Sequence, residues 1–192
     1  MAPKTTPDER IARRAERHHG LVTRAAAIAC GLTDRQISRR VRTGRWELVG
    51  PGVYRIVGAP RTPAGRTYAA VLRAGPYAVA CGLSALALVD AGTAPTTPTI
   101  CVPPSASART SGAIVRRSPL ADVDRTRVGP VPCTTPSRAL LEAAGVVDAG
   151  TLEHLVDDAM DRRLATPSRV TGVIRRSASG SGREGVQLLR DA

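Results

Sequence analysis

The chain has almost no aromatic residues: no phenylalanine, one tryptophan and three tyrosines among 192 residues, or 2% of the sequence. Aromatic platforms that stack single-stranded bases have little material here, which argues against that mode of nucleic-acid binding. Any core must be built from Val, Leu, Ile and Ala, and the 42% hydrophobic content is enough to build one in one or two small domains. Lysine is nearly missing too, Lys4 being the only one. No apolar run approaches the ~20 residues that a membrane-crossing helix needs. The N-terminal stretch MAPKTTPDERIARR lacks the apolar segment of a signal peptide, so a cytoplasmic location is expected, away from membranes. Cys30, Cys81, Cys101 and Cys133 are far apart and never form a CxxC pair, so no metal site is expected, and all four read as buried, reduced thiols. No GxSxG elbow, phosphate-cradling glycine loop or HExxH pair occurs, and SGSGRE near the C-terminus reads as a flexible connector. The expectation is a non-enzyme with no cofactor.

What the chain has in excess is positive charge, 28 Lys and Arg against 16 Asp and Glu, a formal +12. A GC-rich genome inflates arginine everywhere, so the total says less than the placement. Residues 1–60 hold 12 basic against 5 acidic side chains, a net +7 in under a third of the chain. The basic end is the nucleic-acid end.

Within it, Thr33 to Val57 (TDRQISRRVRTGRWELVGPGVYRIV) is the most informative stretch. Thr33 followed three residues later by Gln36 is a capping-box pattern, and Gly44 is placed to stop the helix, which should run from about Asp34 to Thr43. At roughly 100° per residue, Ile37 and Val41 share one face while Arg35, Arg39 and Arg42 project from the opposite one, flanked by Gln36 and Ser38. A charged outer face is common on surface helices, so the flanks carry the argument. Upstream, Leu21 to Gly31 reads as a short helix capped by Thr23 and ended by Gly31, which makes a helix-turn-helix. Downstream, Trp46, Leu48, Val53, Tyr54 and Ile56 lie in two extended runs joined by Gly50, Pro51 and Gly52, a ribbon placed as a wing. A first helix from about Pro7 to His19 has Ile11 as its one large apolar residue. The candidate DNA-contacting set is Thr23, Arg24, Thr33, Arg35, Gln36, Ser38, Arg39, Arg40, Arg42, Arg45 and Arg55.

The order GLVTRAAAIACGLTDRQISRRVRTGRWELVGPGVYR resembles the N-terminal winged-helix domain of AbiEi-type antitoxins of actinobacterial type IV toxin–antitoxin systems and related transcriptional regulators. LVT, GL[ST], RR, G-x-W-x-x-V and PGVYR together are far more specific than any one piece. The resemblance continues more weakly through AAVLRAGPYAVA, the VRR run at Val115 and TTPSRALLEAA near Thr135. It implies an autorepressor whose winged helix sits on double-stranded promoter DNA, through Arg35, Gln36, Arg39 and Arg42. It also implies that the following region acts as antitoxin toward a nucleotidyltransferase-like toxin. The same N-terminal architecture precedes a Vsr-like nuclease in some longer proteins, and this chain stops about where that nuclease would begin. Such a nuclease needs an acidic cluster with a lysine or histidine. Family members often carry Ser-His-Arg-Ser after AAVLRAGP, where this chain has Cys81, Gly82, Leu83 and Ser84, so no role of that His-Arg pair carries over.

After Val57 the Gly/Pro-rich GAPRTPAG forms a connector, which sets expected domains of 1–57, a winged helix-turn-helix, and 58–192, an α+β unit with C-terminal helices. In the second unit helices are expected at Arg66–Ala74, Leu83–Ala91, Ser137–Ala144, Ala149–Arg163, Ser168–Arg176 and Gly185–Asp191. Thr99–Val102, Ala113–Arg116 and Val128–Cys133 should form a small, mostly antiparallel sheet. In LEHLVDDAMDRRL an apolar stripe of Leu152, Leu155, Val156, Ala159 and Met160 faces away from Asp157, Asp158 and Asp161, which read as a solvated face rather than a metal site. His154 has no partner at ligand spacing, and His18 and His19 end a basic helix, where they favour the dipole or approach phosphate. The function this supports is a sequence-specific repressor and antitoxin. The alternative is a protein–protein module, or a nuclease-less relative of the Vsr-like proteins. Two copies per operator would match repeats about 34 Å apart.

Overall fold

The structure, a computed structural model, describes residues 6–108 and 110–177. The chain is α+β: a winged helix-turn-helix followed by a mixed sheet covered by helices. Its first helix, α1 (Pro7–Arg17), opens with a capping box between Thr6 and Glu9 and buries Ile11 and Ala15 on one side. Leu21–Thr23 then forms β1, where a helix was expected to begin. The reason is pairing: Leu21, Val22 and Thr23 align antiparallel with Arg55, Tyr54 and Val53, and the exchange of backbone hydrogen bonds outweighs helix formation in a β-branched pair. The helix after it, α2 (Arg24–Ala29), is capped by Thr23. It is followed by α3 (Asp34–Arg42), β2 (Trp46–Gly50) and β3 (Val53–Ile56). The three strands lie in the order β1-β3-β2. Ile11, Ala15, Val22, Ala26, Ala27, Leu32, Ile37 and Trp46 make the small core beneath α3.

The second half begins with α4 (Pro63–Ala74), capped by Thr62. Then come β4 (Val79–Ala80), the single turn α5 (Leu83–Leu86), β5 (Thr99–Val102), β6 (Ile114–Arg117), β7 (Arg125–Val128) and β8 (Val131–Thr134). Three helices close the described chain: α6 (Pro136–Ala144), α7 (Ala149–Asp161) and α8 (Pro167–Ser177). The helix expected over Leu83–Ala91 stops at Leu86 and tightens into a 3-10 turn over Ala87–Val89, which Asp90 ends in the left-handed region. The helix expected at Gly185–Asp191 lies outside the described residues.

The five strands run in the order β6-β5-β4-β8-β7. The sheet is mixed rather than mostly antiparallel. β4–β5 and β7–β8 are antiparallel, while β5–β6 and β4–β8 are parallel. Each parallel pair is joined by a connection long enough to cross over, so β content alone did not reveal direction. One face, with Ala80, Ile100, Val102, Val131 and Cys133, meets the helices in the main core. The other face carries Val79, Cys81 and Cys101 beneath Leu120. Leu120 belongs to residues 118–124, which carry the chain from β6 at one edge to β7 at the other. On α7, Leu152, Leu155, Val156 and Ala159 are buried and Met160 is partly so, with Asp157 and Asp161 exposed.

Two carboxylates inside this half, those of Glu142 and Asp124, are matched. The Glu142 carboxylate accepts hydrogen bonds from Gly82 N (2.9 Å), Thr134 Oγ1 (3.0 Å) and Arg138 Nε (3.0 Å). Gly82 has φ +54, a conformation suited to glycine at the start of α5. Asp124, 2% exposed, pairs with Arg176 of α8. Burial raises the thiol pKa of Cys81 and Cys101 and takes that of Cys133 to about 11, which keeps these thiols protonated. Cys30 is only partly buried, and no cysteine is in a disulfide.

The two halves share core. Leu21 of β1 and Val53 of β3 belong to the same buried cluster as Tyr68, Ala69 and Val71 of α4 and Ile100 of β5. At this junction the Tyr68 hydroxyl and His18 Nδ1 share a 2.9 Å hydrogen bond. Burial first, then Arg14, His19 and Arg127, lower the pKa of His18. Burial, then Arg55, lower that of His19.

Two outcomes follow. Glu142→Ala leaves Arg138, Thr134 and Gly82 N without their acceptor and is expected to cost about 3–5 kcal/mol in urea denaturation. Because both histidine pKa values lie below their ordinary 6.5 in the folded chain, their contribution to stability is complete above that pH. It is lost as the pH falls through the folded values. Urea midpoints measured from about pH 7.5 to about pH 5 should fall on the acid side, and His18→Gln with His19→Gln should flatten the profile.

Candidate nucleic-acid interface

The geometry of α3 follows from its ends and its one buried contact. Thr33 Oγ1 accepts from Gln36 N (3.3 Å), and Gln36 Oε1 accepts from Thr33 N (2.9 Å), so the capping box read from the sequence is formed. At the other end Thr43 donates through Oγ1 to Arg39 O at 2.9 Å. Ile37 is 2% exposed and Val41 is partly buried, which fixes the helix on its apolar side. Arg35, Arg39 and Arg42, at i, i+4 and i+7, are exposed on the opposite side with Ser38 beside them. Gln36 is exposed, and its amide NH2 is outside the cap. Three guanidiniums with forked donors suit phosphate oxygens and the O6/N7 edge of guanine.

The remaining sequence-derived positions divide into two groups. Thr23 caps α2 through Oγ1 and is partly buried, and Thr33 is exposed at the start of α3. Arg24 is exposed and holds Asp34 with a forked pair, Nε to Oδ1 at 2.8 Å. Arg45 is exposed just before β2. Arg40 turns inward: it donates to Asp8 Oδ1 at 2.7 Å and to Gln36 O at 3.0 Å, and its guanidinium lies 5.8 Å from the Trp46 ring centroid. Arg55 is 6% exposed and reaches Pro60 O, with burial, then Arg61, lowering its pKa. The structure therefore brings Arg35, Ser38, Arg39 and Arg42 together on one exposed face, with Gln36 at its edge, and turns Arg40 and Arg55 into the fold. Sequence reasoning did not single out Asp8. Its partner lies 32 residues away, and such a separation leaves no local signal.

The wing is a tight one. Gly52 has φ +67, and its carbonyl accepts from Arg24 N at 2.7 Å. A Cβ on Gly50 would come within 2.7 Å of the Arg73 side chain, so the ribbon lies close against α4. The ladder shifts register between Leu48 and Gly50. Leu48 is 59% exposed on this ribbon. Among the described residues, no three His, Cys, Asp or Glu side chains come together as a metal-binding group, and no helix is long and apolar enough to cross a membrane.

A capped helix on an apolar anchor, preceded by a shorter helix and followed by a β-ribbon, with one strand closing the sheet, defines a winged helix-turn-helix. Residues 9–57 match the family described as "Transcriptional regulator, AbiEi antitoxin". The crystal structure of the RV2827C protein from Mycobacterium tuberculosis is similar at 17% identity, over 98% of this chain and 83% of that one, with a TM-score of 0.48. No curated protein matches the chain.

Removing the cap should loosen α3 without touching its exposed row. Thr33→Ala is expected to cost about 1 kcal/mol of stability by chemical denaturation, with Thr33→Ser nearly unchanged.

Proposed function

We propose that the chain is a sequence-specific, DNA-binding repressor of its own promoter and the antitoxin of a type IV toxin–antitoxin pair. In this reading residues 1–57 bind double-stranded DNA, and residues 58–192 act toward a nucleotidyltransferase-like toxin. The DNA contacts are Arg35, Gln36, Ser38, Arg39 and Arg42 of α3, supported by Arg24 and Arg45 at its two ends. The observation that carries the reading is the exposed Arg35–Arg39–Arg42 row on a helix whose opposite face is locked by Ile37. Among the described residues none of these three guanidiniums is ion-paired, the one acidic residue of the helix, Asp34, being held by Arg24; such a row fits the major groove, where phosphate contacts set position and base-edge contacts set sequence. Two copies on half-sites about 34 Å apart would give the operator the length that one short helix cannot read.

The experiment is binding of the purified chain to the DNA upstream of its own reading frame and to a scrambled duplex, across about 50 to 200 mM salt. Tighter binding to the upstream DNA that persists at high salt, and its loss on neutralising Arg35, Arg39 and Arg42 together, are expected. Equal affinity for both duplexes, collapsing with salt, would sink the repressor and leave a protein–protein role for the second half. Arg39→Ala should cost about 1–3 kcal/mol with relaxed preference at one base position. A uniform loss on all duplexes would make Arg39 a phosphate contact only.

A further inference from the structure

The contacts proposed above use nothing from α1, yet that helix carries a row of guanidiniums of its own. Arg10, Arg13, Arg14 and Arg17 are all exposed. Spaced i, i+3, i+4 and i+7, they fall within an arc of about 100°, away from the side that buries Ile11 and Ala15. None of the four is in an ion pair among the described residues. Two of the three acids on this helix are used elsewhere: Asp8 accepts from Arg40 of α3 at 2.7 Å, and Glu9 accepts from Thr6 N at 2.9 Å in the capping box. Such a row works against the helix that carries it. Like charges three or four residues apart weaken a helix, and Arg10 and Arg17 each stand at that spacing from both Arg13 and Arg14. Arg14 and Arg17 recover part of the loss in the last turn, where the macrodipole favours a cation, but Arg10 and Arg13 lie outside it. A repulsion that the fold leaves uncompensated is relieved by a polyanion.

The place of the row says which polyanion. The N-terminal end of α1 packs at the turn between α2 and α3, where a Cβ on Gly31 would stand 3.1 Å from Arg10 Nη2 and 3.5 Å from Pro7. The bond from Arg40 to Asp8 ties that same end to α3 itself. Arg10 therefore stands beside the turn that leads into the N-terminal end of α3, the end that meets base edges in a helix-turn-helix complex, and the walls of the groove there are phosphate. From Arg10 the row extends roughly 10 Å along α1, a length over which duplex DNA presents one charge per about 1.7 Å of axis. We propose that Arg10, Arg13, Arg14 and Arg17 contact the phosphate backbone flanking the α3 site on the same duplex, as a sequence-independent extension of that site. The inference rests on the repressor reading for where the duplex lies.

The test compares the full wild-type chain with a variant carrying Arg10→Gln, Arg13→Gln, Arg14→Gln and Arg17→Gln, on the upstream DNA and on the scrambled duplex, over the same salt range. The variant should bind both duplexes more weakly. Its slope of log affinity against log salt should be shallower by about 0.9 for each contact removed, with the preference for the upstream DNA kept. Lysine at the same four positions should restore the slope, because a phosphate also accepts a point charge. The urea midpoint of the glutamine variant should be no lower than that of wild type, the repulsion along α1 being gone. A midpoint that falls would make the row structural and overturn the proposal. An unchanged slope in the glutamine variant, while wild type still prefers the upstream DNA, overturns the row and leaves the α3 site standing. Equal affinity of wild type for both duplexes overturns the repressor reading instead, and a shallower slope in the variant then still assigns the row to phosphate, on DNA of any sequence.

Discussion

One helix sets how everything else is placed. α4 lies between the three-stranded sheet of the winged helix and the five-stranded sheet behind it, and it contacts β1 and β3 on one side and β4, β5 and β8 on the other. Its Tyr68, Ala69 and Val71 are buried together with Leu21 and Val53, which are winged-helix residues by position but second-core residues by contact. Each large apolar side chain buried in this way contributes about 1.5–3 kcal/mol, more than a flexible Gly/Pro connector can oppose. The hydrogen bond between Tyr68 and His18 adds a polar tie at the end of α1, and neutral imidazole is the form that this buried, arginine-lined corner favours. The wing is held by the same helix, since Arg73 lies over Gly50.

From that constraint follows a division of labour among arginines. A chain with almost no lysine uses one residue type for two purposes, and the partner decides which. Arg40 is clamped between Asp8 and the Trp46 ring, fixing the angle of α3 against α1 and β2. Arg35, Arg39 and Arg42, on the same nine-residue helix, have no such partner among the described residues and stay exposed. Three of the four aromatics are used in the same structural way: Trp46 packs against Tyr54 at 5.6 Å between centroids, and Tyr68 is buried, whereas Tyr77 is exposed.

The legible parts of this fold were those with local causes. Thr33 and Gln36 are three residues apart, so their reciprocal cap could be read directly, as could the Gly50–Pro51–Gly52 turn and the apolar stripe of α7. What escaped were features whose cause lies far along the chain. Leu21–Thr23 is a strand because β3, more than 30 residues later, offers it a ladder. Val79–Ala80 is too short to show alternation and is a strand only because β5 and β8 flank it. Parallel pairing of β5 with β6 leaves no mark in composition. For the candidate contacts, spacing placed Arg35, Arg39 and Arg42 on one face, but it could not see that Arg40 meets Asp8 or that β3 turns Arg55 inward against Pro60.

The electrostatics of α3 depend on where the carboxylates go. Asp8 meets Arg40, Asp34 meets Arg24, Glu47 meets Arg61, Glu142 meets Arg138, Asp158 meets Arg162 and Asp124 meets Arg176. The exposed pairs among these, unlike Glu142–Arg138 and Asp124–Arg176 with their buried carboxylates, contribute little to stability, about 0–1 kcal/mol each, so their larger effect is on the field. Asp34 illustrates it. An acidic residue in the first turn favours the helix through its dipole, yet an unpaired carboxylate there would repel phosphates from the start of α3. Arg24 cancels that repulsion while leaving the dipole contact in place. The arginine row then faces solvent with its charge uncompensated, the condition under which a basic surface raises the local concentration of a polyanion and its rate of encounter.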